Sequence, residues 1–267
     1  MRNCALITGS TGGLGKAYVE RCAYLGYDLV LTATKQERLD KLKAEIRSKY
    51  NVNVWTKSAD LSDEKSRDEL FAFLKSNKIE VNILINNAGY IFEGSFLGCE
   101  NSEIMKAIQV NIIGTMDLTH KFLSLRNQER QNYVLFVSSL AGFTPMPQMA
   151  TYASTKAYLT SFAIALREEM RGKKVNVTVV CPGGMATSDA MKKSIKAQGL
   201  SGKLSAQPVE KIAKGSIDRL LKNKPMYIAG WFNHLMKFTS SIPSRQTVAK
   251  FVSKRWTKSQ KKQGIYR

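Results

Sequence analysis

The sequence predicts an α/β fold, a doubly wound parallel sheet with helices on both faces. Three features carry that expectation. Short runs rich in Val, Ile and Leu alternate strictly with longer runs whose apolar residues fall at helical spacing. A glycine-rich turn joins the first run to the first helix. Neither an internal repeat nor a Ser/Gly linker interrupts the 267 residues, so the chain reads as one domain with a C-terminal elaboration. Strict β-α alternation favours right-handed crossovers and a parallel sheet.

The first strand is expected over residues 4–8, ahead of the glycine turn, and the first helix over 13–25. A strand at 28–33 leads to a helix at 37–49, whose Leu39, Leu42 and Ile46 share one face. Residues 53–57 form a third strand and 63–76 a third helix; 81–86 form a fourth strand and 102–125 a fourth helix. A fifth strand at 133–138 is followed by a helix at 152–170. A sixth at 176–181 is stopped by Pro182-Gly183-Gly184, and 226–229 makes a last short strand.

Composition narrows the function classes. An apolar fraction of 43% and a charged fraction of 23% are ordinary for a globular chain, and six Pro with 18 Gly exclude a low-complexity reading. No apolar run reaches the ~18 residues of a membrane span. Residues 1–7 lack a signal-peptide core, so a cytoplasmic chain is expected. Cys4, Cys22, Cys99 and Cys181 are scattered and there are two histidines, His120 and His234, so neither a metal site nor a Ser-His-Asp triad is expected. The net charge of +20 is concentrated at one end. Residues 190–267 hold 18 Lys/Arg against Glu210 and Asp218, whereas residues 1–189 carry only +4.

The glycine turn reads Thr8-Gly9-Ser10-Thr11-Gly12-Gly13-Leu14-Gly15. Glycines at a strand-to-helix junction let the backbone approach a diphosphate, and the following helix turns its N-terminal amides and positive dipole end toward that anion. Further along stand Asn86-Asn87-Ala88-Gly89 after the fourth strand and Asn111 in the next helix. Ser138-Ser139-Leu140-Ala141-Gly142 follows the fifth strand, then Tyr152-Ala153-Ser154-Thr155-Lys156, then Pro182-Gly183 with Thr187. In this order and spacing, over residues 3 to about 190, the chain resembles the short-chain dehydrogenase/reductases. The resemblance implies a Rossmann-type three-layer sandwich and an oxidoreductase acting between a nicotinamide cofactor and a ketone or alcohol.

Tyr152 and Lys156 stand four apart and share one helix face. A tyrosine hydroxyl titrates near ~10, and an adjacent ammonium favours the phenolate and lowers that value. Tuned in this way, Tyr152 can pass a proton to or from a carbonyl oxygen. By the resemblance, Ser139 holds the substrate oxygen and Asn111 keeps a water beside the lysine in a proton relay. The resemblance also implies that Asp60, with Leu61 beside it, holds the adenine amino group. Taken alone, Asp60 is a helix N-terminal residue. Asn87, Ala88 and Gly89 then line the adenosine ribose side and steady the sheet, and Pro182, Gly183 and Thr187 hold the nicotinamide carboxamide. Gly9, Ser10, Thr11, Gly13, Leu14 and Gly15 form the phosphate turn, and Tyr152 and Lys156 also face the cofactor.

The end of the second strand decides which nicotinamide cofactor fits. An acid there accepts hydrogen bonds from a free ribose 2′-hydroxyl and repels a 2′-phosphate. The sequence reads Leu31-Thr32-Ala33-Thr34-Lys35, and Asp28 belongs to the opposite end of the strand. Thr34 and Lys35, with Ser10 and Arg38 as helpers, suit a 2′-phosphate, so NADP(H) is favoured over NAD(H).

Residues 1–230 are expected to form the catalytic domain, its segment 188–224 covering the substrate, with 231–267 a basic extension packed on the same body. Phe143, Met146 and Met149 beside the site suit a bulky apolar ketone or alcohol, or are plain core. The leading reading is an NADP(H)-dependent carbonyl reductase or secondary alcohol dehydrogenase. The alternative is a hydroxysteroid dehydrogenase or a long-chain 3-ketoacyl reductase, NADP- or NAD-linked. The non-enzyme alternative, an NADP-binding regulator or membrane-surface scaffold, has no use for a tuned phenol. A homodimer or homotetramer is implied by the resemblance. Residues 245–262 carry Val248, Phe251, Val252, Arg255 and Trp256 near helical spacing with Lys250, Lys254 and Lys258 opposite. Docking against the body is favoured over peripheral membrane contact, and no motif supports nucleic-acid binding.

Overall fold

The computed structural model describes residues 2–187 and 189–262. Seven strands form one parallel sheet: β1 (Cys4–Thr8), β2 (Asp28–Thr32), β3 (Val54–Thr56), β4 (Ile83–Asn86), β5 (Asn132–Val137), β6 (Val175–Val180) and β7 (Met226–Tyr227). Their spatial order is β3-β2-β1-β4-β5-β6-β7. Leu6 of β1 lies between Val30 of β2 and Leu84 of β4. Chain progression reverses between β1 and β4, which opens a crevice at the carboxyl ends of those strands, where ligands of such sheets bind.

Burial explains the strand composition. Every residue of β1 and of β4 is buried, as expected for strands covered on both faces. Helices α1 (Gly13–Tyr24), α2 (Gln36–Lys49) and α9 (Val209–Leu221) pack on one face around Tyr18, Leu39, Ile46 and Ile212. Helices α3 (Glu64–Ser76), α5 (Thr115–Leu125) and α6 (Ala150–Glu169) pack on the other around Leu70, Leu118 and Phe136. Asp63 caps α3 by accepting a 3.2 Å hydrogen bond from the Ser66 amide, so Asp60 is not that helix's cap.

Two elements depart from the sequence expectation. The last strand ends at Tyr227, and Ile228 and Ala229 leave the ladder, still buried, for Gly230 at φ +87°. The helix expected over 102–125 is two helices, α4 (Asn101–Ile108) and α5, separated by a π turn over Gln109–Gly114. Tertiary contacts hold that widened turn: a Cβ on Gly114 would stand 2.4 Å from the Leu61 carbonyl oxygen, and Asn111 is tied to a neighbouring loop. An extra residue per turn swings Asn111 inward, a common device at functional sites. After β6 the chain forms α7 (Asp189–Ala197) and α8 (Gly199–Ser205), and after β7 it forms α10 (Trp231–Ser241) and α11 (Arg245–Lys262). Helix α8 touches α7 and α10, α11 touches α7, and α10 packs on the turn Leu140–Phe143.

Candidate active site

The carboxyl ends of β1, β4, β5 and β6 bring the sequence-predicted residues to one edge. At β1, Gly9 adopts φ +62°, and a Cβ there would stand 2.9 Å from Ala88 Cα. Asn87 Nδ2 donates to the carbonyls of Thr8 at 2.9 Å and Gly9 at 3.2 Å, and Thr8 Oγ1 accepts from the amides of Asn87 and Ala88. Asn87 therefore locks the glycine turn to β4. Helix α1 begins at Gly12 with no side-chain cap and no acid in its first turn. Its first amides have no partner within the helix, and Gly12 and Gly13 beside them are exposed. That arrangement fits a diphosphate. Leu14 is buried and fastens the turn to the core, and Thr187 closes over it, since a Cβ on Gly13 would come within 2.5 Å of Thr187 Cγ2.

The catalytic candidates meet at β5 and α6. Ser139 follows β5 and accepts from the Ala141 amide at 3.1 Å, which starts the short turn Leu140–Phe143. Leu140 N donates to the Pro182 carbonyl at 2.9 Å, joining this turn to the β6 loop. Lys156 is buried, its Nζ donating to the Val137 carbonyl at 2.8 Å and lying 5.7 Å from the centre of the Tyr152 ring. Asn111 is fully buried: its Oδ1 accepts from the Tyr90 amide at 2.7 Å, and its Nδ2 donates to the Tyr90 carbonyl at 2.9 Å and to Thr155 Oγ1 at 3.1 Å. A Cβ on Gly89 would stand 3.4 Å from Lys156 Nζ and 3.5 Å from Asn111 Oδ1, so these three groups converge.

Tyr90 and Thr155 are site residues that the sequence reading did not single out. Thr155 Oγ1 also donates to the Tyr152 carbonyl at 2.8 Å, coupling the asparagine to the catalytic helix. Its position inside Tyr-x-x-x-Lys, one turn beyond the tyrosine, was the available signal. Tyr90 holds Asn111 through backbone groups alone, and no side-chain pattern announces those. Ser138, next to Ser139, is spent on structure: its hydroxyl donates to the Lys156 carbonyl at 2.7 Å.

The electrostatics revise one expectation. Burial pushes the Tyr152 phenol above its ordinary value, and a hydrogen bond with Ser139 offsets this only in part. The lysine does not overcome it, because Lys156 Nζ is engaged with Val137 and burial has pushed the lysine itself down to about 8. This has a stability consequence. Between pH 8 and the ordinary lysine value of 10.5, the unfolded chain binds a proton at this residue that the folded protein has released. Stability carried by residue 156 therefore rises with pH through that window. Urea melts of the protein and of Lys156→Met, at pH 7 and pH 9.5, are expected to move in the native protein's favour by about 2 kcal/mol at the higher pH. A constant difference would refute the depressed lysine.

At the end of β2, Thr34, Lys35 and Arg38 are exposed, and Asp28 lies at the other end of the strand, accepting from the Asn53 amide at 2.9 Å. Ser10 is turned inward: it is fully buried and its hydroxyl donates to the Thr32 carbonyl at 3.2 Å, so it is not placed as a phosphate helper. Asp60 is exposed beside buried Leu61, and hydrogen bonds from Ser62 hold its carboxyl below the usual range. Pro182 is buried and Gly183 packs against Ser205. On the substrate side Met149 is buried as packing, whereas Phe143 and Met146 are half-buried.

Comparison with known proteins bears on this constellation. The family model described as short chain dehydrogenase matches residues 3–198. The very-long-chain 3-oxoacyl-CoA reductase of Laccaria bicolor is 35% identical over 179 residues, 66% of this chain and 52% of that protein. The chain thus spans about half the length of that relative. The rat protein of the same description is 29% identical over 260 residues, 90% of this chain and 81% of its own. A solved short-chain dehydrogenase from Sphingobium yanoikuyae in complex with NADPH superposes with a TM-score of 0.76 at 26% identity, covering 92% of this chain and 94% of that one.

Proposed function

The chain belongs to the short chain dehydrogenase family, and on that premise we propose that it is an NADPH-dependent reductase of a bulky apolar ketone, specifically the 3-keto group of a long-chain acyl thioester. The observation that carries the reading is the convergence of Ser139, Tyr152, Lys156 and Asn111 beside an uncapped, glycine-lined helix start. The substrate class rests on the relatives named very-long-chain 3-oxoacyl-CoA reductases and on the half-buried Phe143 and Met146. The cofactor choice rests on the exposed Thr34, Lys35 and Arg38 and on the lack of an acid at the end of β2.

When bound, the nicotinamide supplies the hydride for the carbonyl carbon. Gly9, Thr11, Gly13 and Gly15 with the α1 amides would hold the diphosphate; Asp60, Ala88 and Gly89 would hold the adenosine end; Pro182, Gly183 and Thr187 would hold the nicotinamide end. Tyr152, protonated at neutral pH and shifted further upward by burial, donates its proton to the carbonyl oxygen. Ser139 hydrogen-bonds the same oxygen and stabilises the charge growing there. Lys156 lowers the cost of the phenolate left behind, and Asn111, which converges with it beside Gly89, holds a water next to the lysine for proton relay. The exposed Met105, Ile113, Tyr158 and Ile164 on the outer faces of α4, the π turn and α6 support self-association as a dimer or tetramer.

The test is a screen that follows NADPH absorbance with 3-ketoacyl thioesters of increasing chain length, ketosteroids and aryl ketones, repeated with NADH. The expected result is a kcat/KM that climbs with acyl length and at least a tenfold NADPH preference, which falls in Lys35→Glu. Preference for a ketosteroid would replace the substrate; preference for NADH would overturn the cofactor choice.

A further inference from the structure

We infer that the face formed by α7, α8, α10 and α11 docks on an anionic lipid surface. The argument starts at α10. Its inward side is fixed by Asn233, fully buried and donating to the carbonyls of Ser205 at 2.9 Å and Ala229 at 2.6 Å. One turn on, Lys237 Nζ lies 4.9 Å over the Phe143 ring and 3.6 Å from Met226 Sδ. At 100° per residue, Trp231, Leu235, Phe238 and Ile242 project from the opposite side. These four are 46–69% exposed, an apolar stripe left uncovered among the described residues. Leu200 and Leu204 on α8, which touches α10, are exposed too, as is Phe251 on α11, which touches α7. On α11 it is Val248 that packs inward while Phe251 is exposed; the side chains of Arg255, Trp256 and Lys258 lie outside the described residues.

The charge around the stripe decides what it fits. Lys193, Lys196, Lys203, Arg245, Lys250 and Lys254 are exposed on α7, α8 and α11, and among the described residues none of them forms an ion pair. No acidic residue follows Asp218 in the sequence. Pairing this face with a second copy of itself would bring two cationic rims together. A membrane surface of phosphatidylserine type satisfies both features, taking aromatic and aliphatic side chains at the headgroup boundary and lysines at the phosphates. The expectation of docking against the body concerns residues 245–262, which form α11, where Val248 is buried and Phe251 is exposed. Because α10 packs on the turn that begins after Ser139, a bilayer beneath this face would adjoin the catalytic edge. The inference does not depend on the substrate reading above.

The experiment is co-sedimentation of the full chain with phosphatidylcholine vesicles, with and without phosphatidylserine, in low and high salt. Melting curves and light-scattering mass are recorded alongside, for the protein and for Trp231→Ser/Phe238→Ser. The expected result is binding to the serine-containing vesicles, weakened by salt, and at least about tenfold weaker in the double variant at unchanged melting temperature and mass. Equal binding to both vesicle types, equal binding by the variant, or no binding would overturn the proposal. So would a variant that halves the native mass, which assigns the stripe to a second copy. Vesicle binding needs no turnover, so its failure leaves the reductase reading standing, and the reverse also holds.

Discussion

Replacing Tyr152 with Phe is expected to lower kcat by about 10³-fold, with melting temperature and NADPH binding preserved. The exchange removes one oxygen and keeps the ring on α6, where it is half-buried. What is lost is the proton that the proposed mechanism assigns to the carbonyl oxygen: the Ser139 hydroxyl can donate a hydrogen bond but is too weak an acid to surrender its proton. A phenol is protonated at neutral pH in any case, and burial raises its titration point further, so the donor is loaded. Binding should be read by quenching or calorimetry with NADPH, and turnover by its absorbance. Turnover within tenfold of the native enzyme would remove Tyr152 from its assigned role. Lost binding would show instead that the ring builds the cradle.

Gly15→Ala is expected to destabilise the protein by about 3 kcal/mol and to abolish cofactor binding. A Cβ at residue 15 would stand 2.1 Å from the Gly9 carbonyl oxygen and 2.9 Å from Ser10 Cα. Both are backbone, so no side chain can rotate away. The strand-to-helix turn must open, and with it the path by which Gly9 meets Ala88 and Asn87. Gly12→Ala in the same turn is the control: its Cβ would meet only the Gly9 oxygen, at 3.4 Å. Thermal melts should separate the two by several degrees, with NADPH protecting the Gly12 variant and not the Gly15 variant. Equal behaviour would mean that α1 does not pack where it is described.

Much of the site was legible because local chemistry sets it. A glycine turn after β1, a serine after β5 and a tyrosine-lysine pair at helical spacing are short-range patterns, and the sheet only had to be parallel for them to share an edge. The break in the 102–125 helix was not legible. Val110, Asn111, Ile112, Ile113 and Gly114 are weak helix formers, but none of them specifies a π turn, which forms where Leu61 lies against Gly114 and Tyr90 grips Asn111. The inward turn of Ser10 has the same origin, a bond to β2 that a count from the glycines cannot reveal.

The sequence by itself determined the strand order's raw material, the phosphate turn, the proton donor and the cationic tail, because each depends on residue type at short separation. Only the tertiary structure decided the protonation of Tyr152 and Lys156, the placing of Asn111 and which side of α10 faces outward. Those depend on how much water is removed from a group and on which distant backbone atoms take its hydrogen bonds, and both arise when remote segments pack.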